Sequence, residues 1–448
     1  MTIHRDFFQI VKEGCGQAFT DAPPRRPAVV FIDGQVKLMK ADAITSWEMF
    51  FTVQFYKTIE KCFALGAHTV VLAFDDYEHV PASKAMTQAK RSKQRVNYEF
   101  AQASALPSCP PEDWGSAMAN RTFKVKVVCR VLEVARVWFE KKLQADPSFA
   151  GRTLVLDYRG VPEVLHAPDS SRGNSVREFV AGTDWAPVAG CIGRGECDIK
   201  AFAWLPLARS GGALCIVSVD GDFLPLSLMQ SSSAECDILL YRMVTRAPTG
   251  PAKRKSPASE PAQRAPRREY EYVHIAPVAA WLHDVFPCKV ADPVQQFCAM
   301  VALCGCDFAR NLPRLGPRSL WKLRHRLQNS DLSQPEQALS GIACLYHDMF
   351  VAHNVVPPSV RNSAAWFQSV TEEGACAVYE DLARKVRGDH KISETIRKQL
   401  WPVETTRVHT RNASWTLLYW SMLANAPDPL AADFGYVRDS KGRTAFAA

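Results

Sequence analysis

Three apolar stretches of this chain each run into aspartate: Ala28-Val29-Val30-Phe31-Ile32-Asp33, Thr69-Val70-Val71-Leu72-Ala73-Phe74-Asp75 and Leu214-Cys215-Ile216-Val217-Ser218-Val219-Asp220-Gly221-Asp222. Uninterrupted apolar runs rich in Val and Ile predict strands buried on both faces, the kind found in parallel sheets. In an open α/β sheet, ligands bind beyond the carboxyl ends of the strands. The pattern therefore places Asp33, Asp75, Asp220 and Asp222 on one rim. Clustered carboxylates repel one another unless protons or cations neutralise them. A hard divalent cation, Mg²⁺ or Mn²⁺, suits an all-oxygen donor set.

Composition narrows the class of partner. The 448 residues, 47% hydrophobic and 22% charged, belong to a globular chain of one elaborated domain or a few smaller ones. The formal net charge is +8, so its distribution matters more than its sum. Basic stretches lie at 84–95, 121–142, 253–268 and 310–326, and the first and last contain no acid. An acidic rim with basic stripes elsewhere fits a substrate with a phosphate backbone. Each stripe alone also reads as a solvated helix face.

The fourteen cysteines form no C-x-x-C pair, and most stand in apolar runs, as Cys62, Cys129, Cys215 and Cys298 do. That usage predicts reduced, buried thiols in an intracellular protein. Cys298, Cys304 and Cys306 match no zinc module. The N-terminus does not read as a signal peptide. No apolar run reaches the roughly 18 residues of a membrane span.

The order of patterns predicts helix, strand, helix and strand over residues 1–82, with a helix at 47–65 joining the first two aspartate-ended strands. Residues 83–145 read as an inserted pair of helices, the second spanning 122–143, with Val127, Val131, Val134 and Trp138 at helical spacing. Strands are expected at 152–158 and 236–243, with polar, irregular chain at 169–184. The segment 246–270, rich in Pro, Ala, Ser and basic residues, reads as a disordered loop. Its basic pairs at 253–268 read equally as a bipartite nuclear import signal or as a loop lying on nucleic acid. Beyond it the pattern is mostly helical, with a helix at 294–304 and another starting near Pro317. The resulting divisions are a core at 1–245, the loop, a segment at 271–345 carrying a further acid and a turn, and a helical extension at 346–448.

Seven acids stand in a telling order: Asp33, Asp75, Glu196, Asp198, Asp220, Asp222 and Asp307. With their neighbours they resemble the flap endonuclease/XPG family of structure-specific 5′-nucleases. The similar segments are Phe31-Ile32-Asp33, Phe74-Asp75, Gly195-Glu196-Cys197-Asp198, Val219-Asp220-Gly221-Asp222-Phe223 and Leu303-Cys304-Gly305-Cys306-Asp307-Phe308 followed by Leu315-Gly316-Pro317. The run Ala89-Lys90-Arg91-Ser92-Lys93-Gln94-Arg95, with Lys84 before it, is similar to that family's basic helix at the base of an arch.

The resemblance implies a PIN-like α/β fold: a mainly parallel central sheet flanked by helices, an inserted helical arch and a helix-hairpin-helix-like region. It implies two Mg²⁺, with Mn²⁺ as substitute, held by the seven acids, Asp33 and Asp307 acting through waters. It implies that Lys84 and Arg91 neutralise charge at the scissile phosphate. Lys90, Gly316, Pro317, Arg318, Lys322 and Arg324 would hold DNA, with K⁺ as a further cation at the hairpin turn. The expected activity is cleavage near a single-strand/duplex junction of DNA, in replication, repair or recombination, by a monomer. Departures from the family pattern are Thr2 for glycine, Met39 near the place of an aromatic, Asp76 for glycine, Asp198 for a longer glutamate and Arg314 for glycine. A clamp-binding motif was not found in the sequence. Competing readings are a 5′→3′ exonuclease or exoribonuclease of the same superfamily, a catalytically silent nucleic-acid-binding scaffold, and an Asp-x-Asp phosphatase centred on Asp220, which lacks the expected downstream Thr/Lys pattern.

Overall fold

All three aspartate-ended runs form strands of one eight-stranded sheet. In chain order its strands are β1 (Phe19–Thr20), β2 (Pro27–Asp33), β3 (Thr69–Ala73), β4 (Thr153–Asp157), β5 (Glu163–Leu165), β6 (Ala213–Val217), β7 (Asp237–Arg246) and β8 (Arg267–His274). The computed structural model describes residues 2–39, 45–76, 106–159, 162–166, 196–209, 212–231, 236–246, 267–286, 288–306, 309, 312, 315–352, 379–381, 383–384, 387–388, 394, 401–423, 434, 436–438 and 444–446.

The spatial order is β1-β8-β7-β6-β2-β3-β4-β5. The five inner strands, β7-β6-β2-β3-β4, are parallel, and β5, β8 and β1 close the edges antiparallel. From β2 the chain goes to β3 on one side, and β6 later joins β2 on the other. That reversal makes a topological switch point at the carboxyl ends of β2 and β6, the place of the ligand crevice in open α/β sheets. Register sets Asp33 level with Ala73 of β3, and Ile32 level with Val217 of β6.

Alternation along β2 feeds two cores: Val29 and Phe31 point to one face, Val30 and Ile32 to the other. The first face packs against the helices Thr2–Gly14, Phe223–Ser231, Ile275–Val285, Pro293–Cys304 and Val403–Met422. The second packs against the helices that join β2 to β3 and β3 to β4. The longest of these, Arg121–Ala145, begins at Asn120, whose side chain accepts from the Phe123 amide. It buries Phe123, Val127, Val128, Val131, Ala135 and Phe139. Trp138 stacks on Tyr56 at 4.8 Å, and Phe139 on Phe63 at 5.8 Å. The described part of the expected arch is thus a packed layer of the sheet. Its first helix, with Lys84, Lys90 and Arg91, lies outside the described residues.

Two differences from the sequence reading concern the far edge. β7 runs on to Arg246, and β8 begins at Arg267, where a disordered loop and then helix were expected. Residues 247–266, with all of the expected import signal at 253–268 but its last two residues, which begin β8, lie outside the described residues. At the other end of the chain, the helix Pro335–Ala352 spans the expected boundary at 345/346. The helix Val403–Met422 is bound into the first core: Gln230 Nε2 donates to the Trp420 carbonyl at 2.7 Å, and His409 Nε2 sits 3.0 Å from the Leu303 carbonyl. Among the described residues no helix is long and apolar enough to cross a membrane.

Candidate functional site

Predicted acids stand at the carboxyl ends of the strands, about the switch point where the crevice of an open α/β sheet lies. Asp33 ends β2 and is the N-cap of the helix Gly34–Leu38. Its Oδ1 accepts from the Val36 amide at 3.3 Å, and its Oδ2 accepts from the Ser218 hydroxyl at 2.8 Å. Only 4% of Asp33 is exposed. Burial pushes its carboxyl up to about 7; the charges of Asp75 and Asp220 push the same way, and the bonds from Ser218 and Val36 oppose them. Like charge from the ends of the two neighbouring strands thus adds to burial at Asp33.

Asp75 lies two residues beyond β3, half-buried. Its Oδ1 accepts from the Cys197 amide at 2.9 Å, which ties the β3 end to the helix Cys197–Phe202. That helix starts from Glu196 and carries Asp198 in its first turn, so both acids stand beside Asp75 in the fold. Glu196 and Asp198 are buried, and Asp198 Oδ1 accepts from the Ile199 amide at 2.9 Å. The Cys197 thiol is held well above its usual range, by burial first and then by Asp75 and Asp33, with Lys200 opposing. It is a packing group under the acids.

Beyond β6 the chain turns through Ser218, whose hydroxyl also accepts from the Asp220 amide at 3.1 Å. Asp220 Oδ1 accepts from the Asp222 amide at 3.3 Å. Asp220 is exposed at the mouth of the crevice, and Asp222 is buried behind it. Asp307 lies outside the described residues. Among the described residues no group of three or more His, Cys, Asp or Glu is drawn together tightly enough to hold a metal ion.

Sequence reasoning missed a fourth carboxylate of the same kind. Asp157 ends β4, whose run Thr153-Leu154-Val155-Leu156-Asp157 repeats the opening pattern. Lys200, one turn along the helix from Glu196, donates to Asp157 Oδ1 at 2.9 Å and to the Phe74 carbonyl at 2.8 Å. Both charged side chains are fully buried. The apolar run into Asp157 was visible; its partner, 43 positions away, was not. Asp76, also buried, faces Arg159 at 3.6 Å.

The predicted turn is also formed. Gly316 is the N-cap of the helix Pro317–Leu323, with Pro317 in the first turn. Arg318 and Lys322 are exposed, and Arg318 pairs with Glu13 at 3.3 Å. Arg324 has a structural position: its guanidinium lies 4.3 Å over the Trp321 ring, donates to the Val285 and Trp321 carbonyls, and is lowered in pKa by burial. Neither a protein-family model nor a curated protein matches the chain.

Proposed function

We propose that the crevice binds divalent metal and hydrolyses phosphodiester bonds of nucleic acid near single-strand/duplex junctions, as a structure-specific 5′-nuclease. One observation carries the reading: Asp33, Asp75 and Asp220 stand at three adjacent strand ends at the sheet's switch point, and burial first, with the charges of Asp75 and Asp220 added, raises the Asp33 carboxyl to about 7. Crowded, anionic, oxygen-only donors fit Mg²⁺, with Mn²⁺ as substitute. Bound there, such ions would supply Lewis-acid stabilisation of the charge that builds on a phosphate.

The chain's own residues divide the work. Asp33, engaged through both oxygens, fixes the β2–β6 crevice by holding Ser218 and the Val36 amide. Asp75 draws Glu196 and Asp198 to the rim through the Cys197 amide. Asp220 offers its exposed carboxylate at the mouth, and Asp222 and Asp307 complete the proposed donors. Lys84 and Arg91, seven apart, would share one helix face and neutralise charge developing on the scissile phosphate. The amides at the start of the helix Pro317–Leu323, with exposed Arg318 and Lys322, would hold duplex backbone without reading sequence. K⁺ at that turn belongs to the same proposal.

The test is Mg²⁺-dependent cleavage of labelled flap, bubble, nicked-duplex and single-stranded RNA substrates. Asp220→Asn should lower the rate by roughly a hundredfold or more while substrate binding persists; wild-type cleavage by that variant would break the reading. Preference for RNA ends would move it to the exoribonuclease branch. A second reading, a nucleic-acid-binding scaffold without catalysis, has its own support: the described acids are not drawn into one metal-holding group. Binding without cleavage under every metal tried would select it.

A further inference from the structure

β7 and β8 outrun the rest of the sheet. β7 pairs with β6 only as far as Val217↔Tyr241, whereas its pairing with β8 continues through Arg242↔Glu271 to Arg246↔Arg267. A two-stranded ribbon five pairs long therefore projects past the carboxyl end of β6, on the side of the sheet where the acids stand. At about 3.3 Å per residue it reaches roughly 16 Å beyond the strand end.

At the root of the ribbon lies a ladder of tyrosine rings. Tyr272 stacks on Tyr241 at 4.5 Å and 26°, and Tyr241 on Tyr270 at 5.2 Å and 19°. Tyr272 and Tyr241 are buried, but Tyr270 is 43% exposed, so the ladder ends at an aromatic side chain open to solvent. Lys61, exposed on the helix Lys57–Ala64, places its ammonium 4.8 Å from the Tyr270 ring centroid and 5.0 Å from that of Tyr241, and bonds to the Tyr241 hydroxyl. Lys37 lies on the short helix that Asp33 caps; burial lowers its pKa, Cys62 opposes, Lys61 lowers it further and Asp33 raises it.

This juxtaposition has a chemical meaning. Every nucleobase has a π-face, so an open aromatic ring binds unpaired bases without regard to sequence, and nearby ammonium groups take the backbone phosphates. A duplex keeps its bases stacked on one another and cannot use the ring.

We propose that Tyr270, with Lys61, is a stacking and phosphate subsite for a single-stranded segment of the nucleic acid whose scissile bond lies in the acid crevice. The subsite rests on the reading above that the substrate is nucleic acid. Tyr270 takes a base against the exposed part of its ring, and Lys61, already held against the ladder, meets the adjoining phosphate.

Fluorescence anisotropy with a short fluorescein-labelled oligothymidylate and the full-length protein, in EDTA so that nothing is cut, tests this directly. Tyr270→Ala should weaken binding about tenfold, as loss of one base–aromatic stack does. Tyr270→Phe should bind as the wild type does, because the ring is what acts. Lys61→Gln should weaken binding and lower the slope of log affinity against log salt by about one. Blunt duplex should bind equally to wild type and Tyr270→Ala, and equal melting temperatures establish that the variants are folded. Wild-type affinity in Tyr270→Ala, or displacement of the oligonucleotide by polyglutamate as readily as by unlabelled oligothymidylate, would overturn the subsite. Metal-dependent cleavage with an indifferent Tyr270 would remove the subsite and leave the nuclease reading standing. Ring-dependent binding with no cleavage would do the reverse.

Discussion

Asp157 and Asp33 end strands of the same sheet at the same edge, both nearly inaccessible to water, and their surroundings differ in kind. Asp157 faces the ammonium of Lys200, itself fully buried and also bound to the Phe74 carbonyl. Asp33 receives a hydroxyl and an amide, two neutral donors, and faces the charges of Asp75 and Asp220. The first carboxylate is ion-paired within the chain; the second holds two neutral donors, feels Lys37 only through charge, and keeps a proton up to near neutral pH or takes a cation from outside. A fold that ion-pairs one strand end and leaves another, two strands away, among like charges separates scaffold from site. The lysine braces the β3–β4 side of the crevice, immediately before Asp75, so that the β2–β6 side can carry unbalanced charge.

The sharpest way to break this contrast is to remove Lys200. Lys200→Met leaves Asp157 charged and buried, which should cost about 3–5 kcal/mol in urea unfolding. Adding Asp157→Asn to that variant should recover much of the loss, since no charge is then stranded. A loss below about 1 kcal/mol for Lys200→Met would mean that Asp157 does not depend on its lysine, and the division between the two strand ends would fail.

Asp33 should respond in the opposite sense. Its folded pKa, about 7, lies above the ordinary carboxylate value of 3.8, so between those values the folded protein binds the extra proton. Stability is then highest below about pH 4 as far as this group is concerned, falls as pH rises, and reaches its full penalty above about 7. The rise from 3.8 to about 7 corresponds to at most about 4 kcal/mol. Asp33→Asn keeps an acceptor for the Val36 amide and removes the charge. In EDTA at pH 8 it should therefore be more stable than the wild type by about 2–4 kcal/mol, with the difference vanishing near pH 4. Urea unfolding across pH 4–8 measures this, and parallel curves for the two proteins would show that the carboxyl is not strained. Mg²⁺ should narrow the gap for wild type alone, and Asp33→Asn should lose cleavage while gaining stability.

How far the sequence carried this contrast follows from what each feature depends on. β2, β3 and β6 and the acids at their ends were legible because burial on both faces leaves a continuous apolar run, and a strand end fixes where the next polar residue lies. The helix Pro293–Cys304 was legible from its apolar pattern and from Gly305, which adopts φ 106° at the C-cap. Lys200 was not, because a lysine in a short helix reads as solvated until the strand opposite it is known. β8 was hidden by its basic neighbours, although Tyr270 and Tyr272 alternate with Glu269 and Glu271 at the period of a strand. The packing of Arg324 was hidden for a related reason: its place in a basic stretch does not show that its guanidinium lies over Trp321 and donates to the Val285 carbonyl. Charge counted along a chain does not reveal which charges the fold has already used.

Ser218 offers the smallest and most selective test. Its hydroxyl donates to Asp33 and accepts from the Asp220 amide, so it joins the buried acid to the exposed one. At pH 5, where Asp33 is largely protonated, Ser218→Ala removes ordinary hydrogen bonds and should cost about 1 kcal/mol. At pH 8 in EDTA the same change takes a donor away from a charged group, and the cost should rise to about 2 kcal/mol. The Ser218 bond is one of those holding the Asp33 carboxyl down, so its loss should shift the midpoint of the pH–stability curve upward. Combining Ser218→Ala with Asp33→Asn should erase the extra cost at pH 8, because no charge is left to lose its donor. A pH-independent cost that persists in the double variant would show that Ser218 serves only to fold the turn into Asp220, and the electrostatic link between the two acids would have to be carried by something else.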